Sequence, residues 1–213
     1  MRIVKEAEER KSEILDAAEE LFAAKGYERT STGDILERVG IARGTLYYHF
    51  KSKDDILDAL IERINGTLIA GAKKVAEDQS IPVVERIVRT IMSMKVDSGE
   101  DTIGHEVIQQ VHKPQNALMH QKMQQSLLDG VVPVLAGLVE EGNAQGVFHT
   151  GFPLETTEML VLYAVTVFDD RFQQTPGQMK KRVQAFIHHT EKLLGAKEGS
   201  MTAPMTRIFQ QGF

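Results

Sequence analysis

Eleven consecutive residues, Arg43-Gly44-Thr45-Leu46-Tyr47-Tyr48-His49-Phe50-Lys51-Ser52-Lys53, concentrate most of the recognisable chemistry of this 213-residue chain. An arginine pairs bidentately with guanine O6 and N7, and a threonine offers a hydroxyl to phosphate and a methyl to thymine. Tyrosine hydroxyls, imidazoles and ammonium groups donate to phosphate oxygens. This is the chemistry of reading a nucleic-acid duplex, not of making or breaking bonds. No Gly-rich phosphate loop, Ser-His-acid arrangement or His-Glu-x-x-His motif appears anywhere in the chain, so no catalytic residue is assigned and an enzyme is not expected. The chain has no cysteine, and His105 and His112, seven apart, lack a clear third ligand. No metal and no cofactor are expected.

Side chains of this kind must be held on a short helix that projects from a compact support. Ile14, Ala17, Ala18, Leu21 and Phe22 recur at helical spacing and predict a helix over 10–25, closed by Gly26. Thr30-Ser31-Thr32 supplies N-cap oxygens for a second helix with Asp34 in its first turn, and Gly40 opens the turn that ends it. A third helix follows from about Ala42 to Tyr48. Two short helices joined by a tight glycine turn predict a helix-turn-helix whose second member enters a major groove. Leu21, Phe22, Ile35, Val39, Ile41, Leu46 and Phe50 are assigned to the core. Arg43, Gly44 and Thr45 lie in the first turn, where base edges are met. Tyr47 and Tyr48 stand one helical turn after Arg43 and Gly44, and the Tyr47 ring could point outward or pack beside Leu46. His49 and Lys53 read as phosphate contacts.

Net charge is −5 over the whole chain, but residues 29–53 hold five basic side chains against two acidic ones. A small basic element joined to an acidic body suits a protein whose DNA contact is local. The charged N-terminus has no apolar stretch of the secretory kind, and no apolar run reaches the roughly 18 residues a membrane span needs. A cytoplasmic protein without a membrane segment is expected.

Beyond residue 53 the pattern remains helical. Ser52 caps a fourth helix running to about Ala76, some 24 residues or about 36 Å. Further helices are expected over 83–96, 102–112, 115–141 (with Pro133 kinking or interrupting it), 154–172 and 177–195. Residues 196–213 read as a loosely held tail. Apolar residues cover almost the whole circumference of 154–172, so that helix must be buried. A two-fold four-helix interface with a second copy would bury it, and so would the core of one subunit.

The N-terminal 60 or so residues resemble the TetR family of bacterial transcriptional regulators. The resemblance rests on Ile14 through Phe22, Lys25-Gly26-Tyr27, Thr30-Ser31-Thr32, Asp34-Ile35, Val39-Gly40-Ile41, Gly44 through Phe50, and Lys51-Ser52-Lys53. It departs at Ala42, where a polar cap is usual, and at Gly33, where a long polar side chain is common, so readout should fall on the third helix. The resemblance implies an all-α fold: an N-terminal three-helix helix-turn-helix DNA-binding domain (8–53) followed by a helical ligand-binding and dimerisation body (54–195), with the tail at 196–213. It implies a homodimer on a palindromic double-stranded DNA operator, most often a repressor released by a small-molecule effector. It also implies a phosphate contact by Thr32 and an effector pocket for which Met92, His105, Gln109, His112, Met123 and Tyr163 are the candidates. The alternative is a helical ligand-binding or scaffolding module without DNA binding.

Overall fold

The structure, a computed structural model, describes residues 2–94, 117–168 and 175–210. Among these residues there are nine helices and no strand: α1 (Arg2–Lys25), α2 (Thr32–Val39), α3 (Arg43–His49), α4 (Lys53–Ala76), α5 (Val83–Ser93), α6 (Ala117–Ala144), α7 (Pro153–Val167), α8 (Pro176–Leu194) and α9 (Thr202–Gln210). The helix expected over 102–112 lies outside the described residues. α1 starts earlier than its apolar stripe suggests, because Arg2 to Glu9 contains good helix formers and no breaker.

The described residues fall into two compact units. The first runs to Asn65 and includes Ala117 to Ser126; the second starts at Gly66 and resumes at Leu127. The core of the first unit joins Ile14, Ala18 and Phe22 of α1 to Ile35, Leu46 and Phe50, and to Ile56, Leu57 and Leu60 of α4. The first half of α4 therefore belongs to this core, and the unit extends past residue 53, the edge expected from the sequence. Leu21, Leu36, Val39 and Ile41 pack at its margin. Arg38 reaches Glu20 at 2.5 Å and Lys25 reaches Asp34 at 2.7 Å, tying α2 to α1.

The second unit is built around Val83, Ile87 and Val88 of α5, Val131, Leu135 and Leu138 of α6, and Phe148, Phe168 and Phe186. The buried Arg86 guanidinium donates to the Ala76 carbonyl at 3.0 Å and pairs with Glu141, fastening the last turn of α4 to α5 and α6. Three expectations are corrected here. Pro133 does not interrupt α6, because Val131, Val132 and Leu135 are buried on both sides of it and their packing offsets the lost backbone hydrogen bond. The tail contains α9, anchored by buried Met201, Met205 and Ile208 at helical spacing and by the buried Glu191 carboxylate. That carboxylate accepts the N–H groups of Gly199 (2.9 Å) and Met201 (2.8 Å). Finally, α7 is not buried on all sides among the described residues: Leu154, Met159, Leu162 and Tyr163 are all exposed.

Candidate nucleic-acid interface

The turn between α2 and α3 is built from its ends inward. The Ser31 hydroxyl accepts the Asp34 N–H at 3.2 Å, and the Asp34 carboxylate accepts the Ser31 N–H at 2.6 Å, a reciprocal cap on α2. These bonds and Lys25, which leads them, hold the Asp34 carboxyl well below the usual carboxylate range. Gly40 ends α2 at φ 74°, a left-handed conformation that costs a side-chain-bearing residue strain, and donates to the Leu36 carbonyl at 2.9 Å. Ala42 caps α3 with no side-chain hydrogen bond, as its composition requires. Seven residues with one unfilled cap make a marginal helix, so α3 depends on its buried side, Leu46 with Phe50 just beyond its end.

Fixing Leu46 inward turns the opposite side outward. Arg43 and Gly44 are exposed, and a Cβ at Gly44 would meet nothing within 4 Å. Thr45 and His49 are half-buried. Tyr48 is 80% exposed, its ring edge-on to His49 at 5.0 Å. An aromatic ring left this far in solvent contributes little to folding and is available to a partner. Tyr47, whose direction the sequence left open, is 40% exposed with its ring 5.4 Å from the Arg43 guanidinium carbon. Its hydroxyl is held below the ordinary tyrosine pKa by hydrogen bonding to Arg43 and, second, to Thr32. The Tyr47 ring thus stands beside Arg43, the first residue of α3.

Lys53 makes contacts that the sequence does not show. Its ammonium donates to the carbonyls of Tyr27 (2.8 Å) and Thr30 (3.0 Å) and lies 4.1 Å from the centre of the Tyr27 ring. The Tyr27 hydroxyl donates to the neighbouring Asp54, and burial together with this bond pushes the phenol's pKa upward. Tyr27 and Thr30 are not legible as partners of Lys53 in the sequence, because a lysine's carbonyl partners have no residue type to recognise. The one available signal is Tyr27 itself, an aromatic residue directly after the glycine that ends α1.

Of the candidate effector residues, Met92, Met123 and Tyr163 are described. Met92 packs at the margin of the second core, and Tyr163 stacks on Phe186 with ring centres 5.6 Å apart. Met123 belongs to the first core, and its carbonyl accepts the buried Asn65 side chain at 3.0 Å. His105, Gln109 and His112 lie outside the described residues. Among the described residues no group of three His, Cys, Asp or Glu could hold a metal ion, and no helix is long and apolar enough to cross a membrane.

Two family models match the sequence. One, described as bacterial regulatory proteins, tetR family, covers residues 14–60, and the other, described as tetracyclin repressor-like, C-terminal domain, covers residues 101–189. The fatty acid metabolism regulator protein of Bacillus subtilis (strain 168) is 24% identical over 149 residues, 70% of this chain and 76% of that protein. The HTH-type transcriptional regulator TtgR of Pseudomonas putida is 38% identical over 66 residues, and the match spans only 31% of either chain. Among solved structures, a gamma-butyrolactone receptor (ArpA-like protein) superposes with a TM-score of 0.57 at 18% identity, covering 97% of this chain and 98% of that one. SmeT, the repressor of the Stenotrophomonas maltophilia multidrug efflux pump SmeDEF, gives 0.56 at 22% identity, covering 89% of this chain and 91% of that one. The structural likenesses, at these identities, establish the fold.

Proposed function

This chain belongs to the TetR family of bacterial transcriptional regulators and is a DNA-binding regulator, and from that premise we propose that it acts as a homodimeric repressor released from its operator by a small molecule. The observation that carries the reading is α3: Leu46 is locked in the core while Arg43, Gly44, Tyr47 and Tyr48 face solvent. In a major groove the first turn of such a helix meets base edges. Arg43 takes a guanine, Gly44 admits close backbone approach, and Thr45 reads a thymine methyl or a phosphate. Thr32, Tyr47, Tyr48, His49 and Lys53 contact phosphates and set the register.

Two copies pair through α7 and α8, which removes Leu154, Met159, Leu162 and Tyr163 from water. A two-fold pair of reading helices calls for a palindromic operator with half-sites about one helical turn apart or slightly more. Repression is the mode named for SmeT, a structural neighbour. An effector releases the operator only by as much as it prefers one arrangement of the protein over the other. Met92 and Tyr163, which border the second core, and Met123, which packs against the first, are the proposed effector contacts among the described residues. The protein works in the cytoplasm and carries out no catalysis of its own.

A mobility-shift titration on DNA upstream of the chain's own coding region, at stated salt, tests the proposal. A discrete retarded band that resists excess unrelated DNA is expected. Folded protein that shifts nothing at low salt would overturn it.

A further inference from the structure

We propose that the outward faces of α7 and α8 carry a charge code, which makes this chain accept its own copy crosswise, α7 of one protomer on α8 of its partner. This builds on the pairing through α7 and α8 proposed above. The only charged residues of α7 are Glu155 and Glu158, and both are exposed. Glu155 stands one helical turn before Met159, and Glu158 one turn before Leu162, so the acids lie along the exposed apolar stripe. α8 has the opposite sign. Lys180, Lys181, Arg182 and Lys192 are exposed, with His188 and His189 between them, and its single acid, Glu191, is buried and bonded to Gly199 and Met201. Of these exposed charges only Lys192 has an ion pair among the described residues, with Glu198 at 3.7 Å.

Within one protomer α7 and α8 pack together, Tyr163 stacked on Phe186, with Thr156, Thr157 and Ile187 buried. A second copy related by a two-fold axis covers the outward side, and the axis makes every contact reciprocal. If α7 met α7 and α8 met α8, acids would oppose acids and the cations of α8 would oppose their own copies. If α7 meets the partner's α8, opposite signs come together twice. Like charges across an interface are strongly penalised, which is how charge fixes register and rejects wrong partners. Met159 and Leu162 supply apolar burial in either arrangement, so the charges select between them. The occupant is a second copy of this chain because the chain holds both signs, one on each helix. A partner with a single sign would leave one helix facing like charge.

The test uses a full-length reversed chain that combines Glu155→Lys and Glu158→Lys with Lys181→Glu, Arg182→Glu and Lys192→Glu, with folding checked by circular dichroism. Crosswise pairing restores opposite signs when the reversed chain meets itself, and sets like against like when it meets wild type. Wild type and isotope-labelled reversed chain are mixed in equal amounts at low salt, equilibrated, and weighed by native mass spectrometry. Both homodimers are expected, with the mixed dimer about tenfold below its statistical share and returning towards that share as salt is raised. A statistical mixture at low salt would mean idle charges, and an excess of mixed dimer would mean like helix on like helix; either overturns the proposal. Wild type alone supplies a second measurement: its dimer dissociation constant should rise with salt, and one that stays level or falls overturns the code even if the reversed chain does not fold. Wild type that is monomeric at micromolar concentration removes the homodimer reading and the code with it, whereas a wild-type dimer that mixes statistically removes the code alone.

Discussion

Replacing three glycines of α6 with alanine, one at a time, should give three different outcomes that the packing alone dictates. Helix propensity favours alanine by about 0.5–1 kcal/mol at every interior helical site, so propensity alone predicts equal stabilisation. The surroundings differ. A Cβ at Gly137 meets nothing within 4 Å, and Gly137→Ala should gain the full propensity term. A Cβ at Gly142 would lie 2.2 Å from Cδ2 of Phe148, about 1.2 Å short of the 3.4 Å where ordinary contact begins. Phe148 is completely buried and cannot swing away, and the Val147 and Phe148 N–H groups both donate to the Gly142 carbonyl. Overpacking of this kind costs about 1–3 kcal/mol, which outweighs the propensity gain. Gly130 is intermediate: its Cβ would meet Cδ1 of half-buried Ile69 at 2.1 Å, and that terminal methyl can rotate for about 0.5–1.5 kcal/mol. Urea unfolding at matched slopes should rank the midpoints Gly137→Ala above wild type, Gly130→Ala near it, and Gly142→Ala below it. A Gly142→Ala midpoint at or above that of Gly137→Ala would refute the reasoning.

Arg43→Ala should relax base preference at one operator position by about 1–3 kcal/mol, whereas Tyr48→Phe should weaken all sequences alike; binding to a randomised half-site library separates the two, and identical profiles would refute the division of roles. Leu162→Glu places a charge on the exposed face of α7, and light scattering after size exclusion should show the mass falling from twice 23.8 kDa to 23.8 kDa; a wild-type monomer at micromolar concentration would remove the dimer altogether. Glu85 is held at about 2, against an ordinary 4.5, by hydrogen bonds from Arg207 and, second, Arg89. A depressed carboxyl stabilises the fold above its unfolded pKa, and that contribution is lost as pH falls from 4.5 towards 2. Because the Arg207 side chain is exposed and screened by solvent, Arg207→Ala should lower stability only slightly at neutral pH, with the difference from wild type closing over that acid range in pH-dependent thermal melts.

The N-terminal elements are readable because their ends are written in residue types. Gly26, Ser31 with Asp34, Gly40 and Ser52 with Asp55 each mark a helix end by what only such residues do, and α4 begins and ends where its pattern says. The outward side of α3 follows from Leu46 and Phe50 alone. The carbonyl contacts of Lys53 are hidden because backbone carbonyls carry no sequence signature, and a lysine beyond an amphipathic helix reads as solvated charge. α9 is hidden although Met201, Met205 and Ile208 keep helical spacing, since nine residues with a proline among them give a weak signal. Apolar coverage all round α7 is a demand for burial. The sequence could not say which surface meets that demand, because periodicity does not distinguish a neighbouring helix from a second copy.

The clasp at Glu191 has a bearing on how the protein should be handled. Its carboxylate is buried and takes its hydrogen bonds from the Gly199 and Met201 N–H groups, which lie beyond the end of α8. A chain cut after Leu194 would lose both donors along with Met201, Met205 and Ile208, leaving the Glu191 carboxylate without these partners and the flank of α5 uncovered. The C-terminal segment, expendable by its sequence pattern, is therefore a closure for the second unit. Affinity tags belong beyond Gln210, and a truncation intended to tidy the protein would instead create a species prone to aggregation.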